Sequence, residues 1–194
     1  LSLHDALPIS LGVGSHLRYW GMRGEIIDEM DWNQSIRVTD SLIVHALPAR
    51  HFSGRGIKRN QTLWASFMFE TPEQNVYYSG DSGYGPHFKA IGEQFGSVDL
   101  AIMENGQYDH DWKFIHMMPE ETAQAAVDLH AKAVLPGHAG RFVLAKHTWD
   151  DPYKRLALAS RRYNYRLLTP MLGEPVILSE PDQLFTAWWQ QVTQ

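Results

Sequence analysis

Residues 76–85 read Val-Tyr-Tyr-Ser-Gly-Asp-Ser-Gly-Tyr-Gly. An apolar strand stops abruptly there at a carboxylate, Asp81, and Gly80, Gly83 and Gly85 let the chain turn tightly beside it. A charged group at a strand end against a glycine-rich loop is a common way to hold a metal ion or a catalytic acid. The feature calls for a sheet whose strand ends carry the chemistry.

Two further segments end in the same manner. Leu42–Leu47 is nearly continuous in apolar character, which marks a buried strand, and it runs into Pro48-Ala49-Arg50-His51. Ala133–Pro136 is another apolar run, ending at Gly137-His138. If these strands are neighbours with their loops at one edge, His51, Asp81 and His138 converge. Taken singly, each has an ordinary structural explanation: a strand-end histidine that is hydrogen-bonded, an aspartate that forms a turn. The repeated placement is what points to a site.

The remaining elements are set by periodicity. Leu11–Gly14 reads as a short strand entering a loop, and Gln34–Val38 as a strand. Thr62–Phe69 alternates, the turn 71–75 comes next, and Val76–Ser79 completes a predicted hairpin. Pro86–Phe95 is predicted as a helix with Phe88, Ile91 and Phe95 on one stripe. Val98–Met103 is a buried strand. Pro119-Glu120-Glu121 opens a helix with proline and acids in its first turn, continuing on one face to His130. A helix is expected over Asp150–Tyr163, closing strands at Leu167-Leu168 and Val176–Leu178, and a short aromatic-rich helix after Asp182. Hairpins mixed with strand–helix–strand units predict an α+β fold, a mixed sheet covered by helices.

The chain has 194 residues, enough for one core, so a single domain is the default. Residues 1–10 do not match the pattern of the adjoining segment and read as a junction-like leader; residues 11–194 are expected to be the C-terminal part of one domain. Ten histidines and no cysteine mean that any zinc is held by histidine and carboxylate, and that no disulfide framework exists. Two histidines and an aspartate suit zinc or a similar divalent ion, which lowers the pKa of its water to ~7 and supplies hydroxide as a nucleophile. A net charge of −5 gives no reason to expect a nucleic-acid partner. No apolar run approaches the roughly 18–20 residues of a membrane span. The cytoplasm is the default compartment for such a chain.

The ordered series Pro48-Ala49-Arg50-His51-Phe52-Ser53-Gly54-Arg55-Gly56, Thr62-Leu63-Trp64, Gly80-Asp81-Ser82-Gly83-Tyr84, Ile91-Gly92, Asp99-Leu100-Ala101, His116-Met117-Met118-Pro119-Glu120-Glu121 and His138 resembles the metallo-β-lactamase-fold hydrolases. Within them it is similar to the branch containing N-acylphosphatidylethanolamine-hydrolysing phospholipase D and its bacterial relatives. The resemblance runs from about Leu11 to about Leu178. It implies an αββα sandwich with mixed sheets and two zinc ions. His51 would bind the first metal, Asp81 would bridge both and act catalytically, and His138 would bind the second. The family's upstream H-x-H-x-D-H motif does not occur in this sequence, and His4-Asp5 is not a substitute. The chain is therefore expected to be a fragment that lacks the N-terminal part of the fold and is inactive as it stands.

The resemblance also implies a small-molecule or lipid-like phosphodiester substrate. It makes His116 a candidate contact for a phosphate or leaving group. Tyr84, beside the Asp81 loop, is a second candidate, with packing as its plainer role. Arg55 and Lys58 are placed to pair with a phosphodiester, or are solvated loop charges. Tyr108–Trp112 reads as a loop in which consecutive side chains point apart. His147 lies nine residues beyond His138 and is not counted in the site. Trp188-Trp189 either pack on the domain or touch a membrane surface peripherally. Two other functional readings stay open: a lactone or other ester hydrolase on the same fold, and a non-catalytic remnant or binding module.

Overall fold

The computed structural model describes residues 7–54 and 57–192. Arg55 lies outside the described residues. The strands are β1 (Leu7–Ser10), β2 (Ile27–Met30), β3 (Gln34–Thr39), β4 (Leu42–Leu47), β5 (Ser66–Glu70), β6 (Asn75–Tyr78), β7 (Leu100–Glu104), β8 (Ala133–Gly137) and β9 (Arg166–Leu167). The helices are α1 (Gly14–Tyr19), α2 (His87–Phe95), α3 (Pro119–Asp128) and α4 (Asp151–Ser160).

β3 to β9 form one sheet in sequence order, while β1 and β2 make a separate parallel pair. Neighbours from β3 to β6 are antiparallel, and those from β6 to β9 are parallel. This is the mixed α+β sheet that the hairpins and strand–helix units predict. The direction rule matters for function. β4 and β6 flank the reversed β5 and so run the same way, and β7 and β8 run parallel to β6. The C-terminal ends of β4, β6, β7 and β8 therefore share one edge of the sheet.

The register sorts the side chains into two faces. The row His45, Met68, Tyr77, Ala101 and Val134 points to the helices. Met68, Tyr77, Ala101 and Val134 are buried there with Phe88 and Ile91 of α2 and Ala125 and Ala126 of α3. Each fully buried large side chain in such a core stabilises the fold by roughly 1.5–3 kcal/mol. The adjacent row, Ala46, Phe67, Tyr78, Ile102 and Leu135, points to the opposite face. That face is only half covered, and Tyr78 is 46% exposed on it. α4 packs on α3 through Ala123, Leu156 and Ala159.

Helix ends obey their local chemistry. Gly96 terminates α2 with φ +74°. Pro119 opens α3, and the Glu121 carboxylate accepts from the Met118 N–H at 2.9 Å. α3 stops at Asp128, short of the expected His130, because His130 turns into the left-handed region at φ +55°. Two other expectations are corrected. The Leu11–Gly14 segment is a turn leading into α1, not a strand, because Glu29 Oε1 of β2 captures the N–H groups of Gly12 and Gly14 at 2.6 and 3.0 Å. Those two bonds help hold the Glu29 carboxyl below its usual range, against the opposing effect of burial. Val176–Leu178 forms no strand; the Ile177 N–H bonds to the Gln183 side chain at 2.9 Å. Trp188 and Trp189 pack against Tyr153 of α4 at 5.1 and 5.3 Å between ring centroids. Among the described residues no helix is long and apolar enough to cross a membrane.

Candidate metal and catalytic site

Four loops leave the shared sheet edge, and hydrogen bonds tie them to one another. After β4, the Arg50 N–H donates to Ser82 Oγ at 3.0 Å, the Gly83 N–H donates to the Arg50 carbonyl at 2.9 Å, and Arg50 Nη1 donates to the Tyr84 carbonyl at 2.9 Å. This pairing sets His51 beside the Asp81 loop. After β6, Ser79 Oγ accepts the Glu104 N–H at 2.8 Å. After β7, the Asn105 N–H donates to the Gly137 carbonyl at 3.1 Å. Gly106 sits directly on the His138 carbonyl, where a Cβ would clash. His138 itself holds a left-handed φ of +60°, a strained backbone for a residue with a side chain.

The side chains converge accordingly. The His51 and His116 rings meet at 5.3 Å, nearly at right angles, and His116 stacks on His138 at 5.5 Å. Asp81 Oδ1 lies 3.7 Å from His138 Nδ1. Two donors on one tetrahedral zinc ion are about 3.4 Å apart, given bonds of about 2.1 Å, so this spacing suits a shared ion. His51 Nδ1 is 2.7 Å from the Phe52 carbonyl, which can only accept, so Nδ1 carries the proton and Nε2 the lone pair. That is how a metal-binding histidine is usually prepared. His51 thus has a lone pair on Nε2 and its ring beside His116, while Asp81 and His138 offer a carboxylate oxygen and a ring nitrogen 3.7 Å apart.

One member went unnoticed in the sequence. Glu104, the last residue of β7, forms the floor of the site with its side chain 1% exposed. Its Oε1 lies 3.0 Å from His116 Nδ1, and its Oε2 accepts the Met117 N–H at 3.0 Å. Donor atoms of Glu104, His116 and His138 all lie within 4.8 Å of one another. Burial pushes the Glu104 carboxyl well above its usual range, and the charges of Asp81 and Glu121 add to the effect. Burial pushes His116 down, against the pull of Asp81. At 3.0 Å the two have the spacing of an ion pair, yet burial opposes both charges. The contact is a buried hydrogen bond that holds the ring against the carboxyl. His138 is also held below its ordinary value by burial, which favours the neutral imidazole that binds metals.

Other expected residues separate from this group. The Tyr84 hydroxyl donates to Asp128 of α3 at 2.6 Å, and its ring stacks on Phe88, so the structure gives it a packing place. Lys58 is exposed. Tyr108–Trp112 contains a short 3-10 turn at His110–Trp112, and its residues 108–111, with His147, Asp151 and Arg155, line a cavity of about 560 Å³. His147 stacks on Tyr108 at 4.2 Å, and Trp112 reaches to 6.1 Å from His116.

A sequence model of the beta-lactamase superfamily domain matches residues 3–139, more than half of the chain. The chain belongs to the metallo-β-lactamase superfamily. It is 79% identical over 106 residues to the outer membrane protein RomA of Klebsiella pneumoniae, covering 55% of this chain and 80% of that protein. It is 42% identical over 185 residues to an uncharacterized protein of Mycobacterium tuberculosis, covering 94% of this chain and 49% of the relative. The mitochondrial N-acyl-phosphatidylethanolamine-hydrolyzing phospholipase D of Saccharomyces cerevisiae is 34% identical over 158 residues, 75% of this chain and 34% of that enzyme. Among solved structures, the metallo hydrolase Igni18 of Ignicoccus hospitalis has the same fold, with a TM-score of 0.66 at 17% identity over 88% of this chain and 67% of that one. This superfamily chain spans about half the length of its mycobacterial relative.

Proposed function

We propose that this chain carries the catalytic edge of a metal-dependent hydrolase, with zinc as the metal and a lipid-like phosphodiester as the substrate. The observation that supports this best is the row of His51, His116 and His138 rings at one sheet edge, with Asp81 beside His138 and the His51 Nε2 lone pair set free by the Nδ1 bond to Phe52. The donors are nitrogen and carboxylate oxygen, a set that suits zinc. The relation to the yeast phospholipase D supports a phosphodiester.

A zinc ion held here would acidify bound water to a pKa of ~7 and polarise a substrate oxygen. The chain's own residues have distinct tasks. His51 and His138 present ring nitrogens. Asp81 contributes negative charge beside His138 and orients what binds between them. His116, between the two rings, faces the reacting group and contacts a substrate oxygen. The loops after β4, β6 and β8 carry His51, Asp81 and His138 from one sheet edge, so little reorganisation of these three is needed on binding.

The full-length gene product, stripped with chelator and reloaded with zinc, should hydrolyse a generic phosphodiester such as bis(p-nitrophenyl) phosphate faster than a lactone. Asp81→Asn should abolish the metal-dependent part of that turnover. Near-normal turnover in the variant would remove Asp81 from the site. Faster lactone opening would overturn the phosphodiester assignment, and no metal-dependent turnover of either compound would overturn the hydrolase reading.

A further inference from the structure

We infer that Glu104 is the positioning residue of this site: its carboxyl clamps His116 Nδ1 and so fixes Nε2 as the ring edge that works on the substrate. The inference rests on the hydrolase reading for its catalytic consequence, but its geometry stands alone.

Glu104 is wired on every polar atom. Its N–H donates to Ser79 Oγ at 2.8 Å and its carbonyl accepts from Thr122 Oγ1 at 3.0 Å. Oε2 is engaged by the Met117 N–H and Oε1 by His116 Nδ1, each at 3.0 Å. The side chain therefore bonds to two consecutive residues of the loop that enters α3. Its backbone bonds to Ser79, just past β6 and close before Asp81, and to the first turn of α3. A carboxyl with both oxygens so occupied, and 1% exposed, is better placed to hold a ligand than to be one. His116 needs such a clamp. It lies in a loop, its ring sits between those of His51 and His138, and without a fixed Nδ1 partner it is free to present either nitrogen.

The test separates positioning from metal ligation and from general packing. A glutamine at 104 can donate its amide to Nδ1 and accept the Met117 N–H, so it keeps the clamp. An alanine cannot. In the zinc-loaded full-length protein, Glu104→Gln should keep kcat within about fivefold. Glu104→Ala should lower kcat by about 100-fold, with KM within about threefold and metal content unchanged. In a His116→Ala background, Glu104→Ala should cost nothing further, as expected for two residues acting as a unit. If Glu104→Gln loses activity as badly as Glu104→Ala, or if either variant loses zinc, the carboxylate is a ligand and the inference fails. An equal cost of Glu104→Ala in both backgrounds would make its role merely structural.

A second readout needs no activity. In ¹⁵N-histidine NMR of the wild-type protein, His116 should show a single tautomer, protonated at Nε2 with Nδ1 as the hydrogen-bond acceptor. That signature should persist in Glu104→Gln. Tautomer averaging of His116 in the wild type, with exchange as fast as at exposed His16, would overturn the inference even if Glu104→Ala does not fold. Failure of hydrolysis with an intact His116 signature would instead count against the function alone.

Discussion

His51 donates Nδ1–H to the carbonyl of its own neighbour, Phe52, so its tautomer is fixed by local backbone alone. No long-range contact has to survive for that nitrogen to stay protonated. His51→Ala should therefore leave the metal-free protein within about 1 kcal/mol of the wild type, as is usual for a half-buried loop residue. Zinc affinity should fall by more than about 100-fold, beyond the usual cost of losing an outer partner. Calorimetric zinc titration together with thermal melting checks both halves, and unchanged affinity would remove His51 from the ligand set. His87 makes the complementary case for stability. Burial, helped by the Arg50 charge, pushes its imidazole down to about 4 from the ordinary 6.5. Between those values the unfolded chain takes up a proton that the folded chain refuses. Stability from this group is thus whole above pH 6.5 and is lost as pH falls towards 4. The melting temperature of the wild type should drop across that window, and His87→Gln should flatten the slope; parallel pH profiles would contradict the assignment. At this scale the placement of His51, Asp81 and His138 in loops at one sheet edge was legible because each closes an apolar run with a turn. Glu104 was not, because it ends the buried strand itself and reads as its boundary. The one local signal was an acid between an apolar run and Asn-Gly, which has no meaning until His116 is seen above it.

Elements meet in this protein by close backbone approach at the site. Gly106 lies on the His138 carbonyl and Gly83 on the Phe114 carbonyl, and in both places a Cβ would overlap the backbone. Neither carbonyl belongs to a flexible side chain that can swing away. Gly106→Ala must then shift the loop carrying His138, a residue already strained at φ +60°. The expected cost is roughly 1–3 kcal/mol, typical of overpacking, together with weaker zinc binding because the ligand moves. Chemical denaturation and zinc titration of Gly106→Ala test this. A variant as stable as the wild type, with unchanged affinity, would show that the loop has room to give. The elements themselves were read well from sequence where periodicity is strong, as in Leu42–Leu47 and the proline-led helix from Pro119. They were misread where a distant side chain decides. Glu29 turns the Leu11–Gly14 segment into the approach to α1, and Gln183 ends any strand pairing at Ile177. Both are side-chain-to-backbone contacts, which leave no periodic pattern in the sequence.

At the scale of the molecule, the sheet collects donors at one edge but offers few of them. Two tetrahedral zinc ions sharing one bridging carboxylate need several further donors, of which some come from solvent or substrate. Among the described residues that edge supplies His51, Asp81, His116 and His138, with Glu104 held by its own bonds. If His116 is reserved for substrate, only three ligands remain, which is the number that holds one catalytic zinc ion with an open position. The 194-residue chain by itself is therefore expected to bind zinc at one equivalent or fewer. That single ion would stabilise it by mass action. At a concentration of 100 times Kd the gain is about 2.7 kcal/mol, or a rise in melting temperature on the order of 5–10 °C for a chain of this size. The gain should vanish in His138→Ala, since the ion would otherwise join the loops after β4, β6 and β8 into one unit. Isothermal titration with zinc, read for stoichiometry as well as affinity, is the measurement. Two tight equivalents per chain would mean that these residues complete a dinuclear centre unaided, and the ligand assignment above would have to be redrawn around Glu104 and His116.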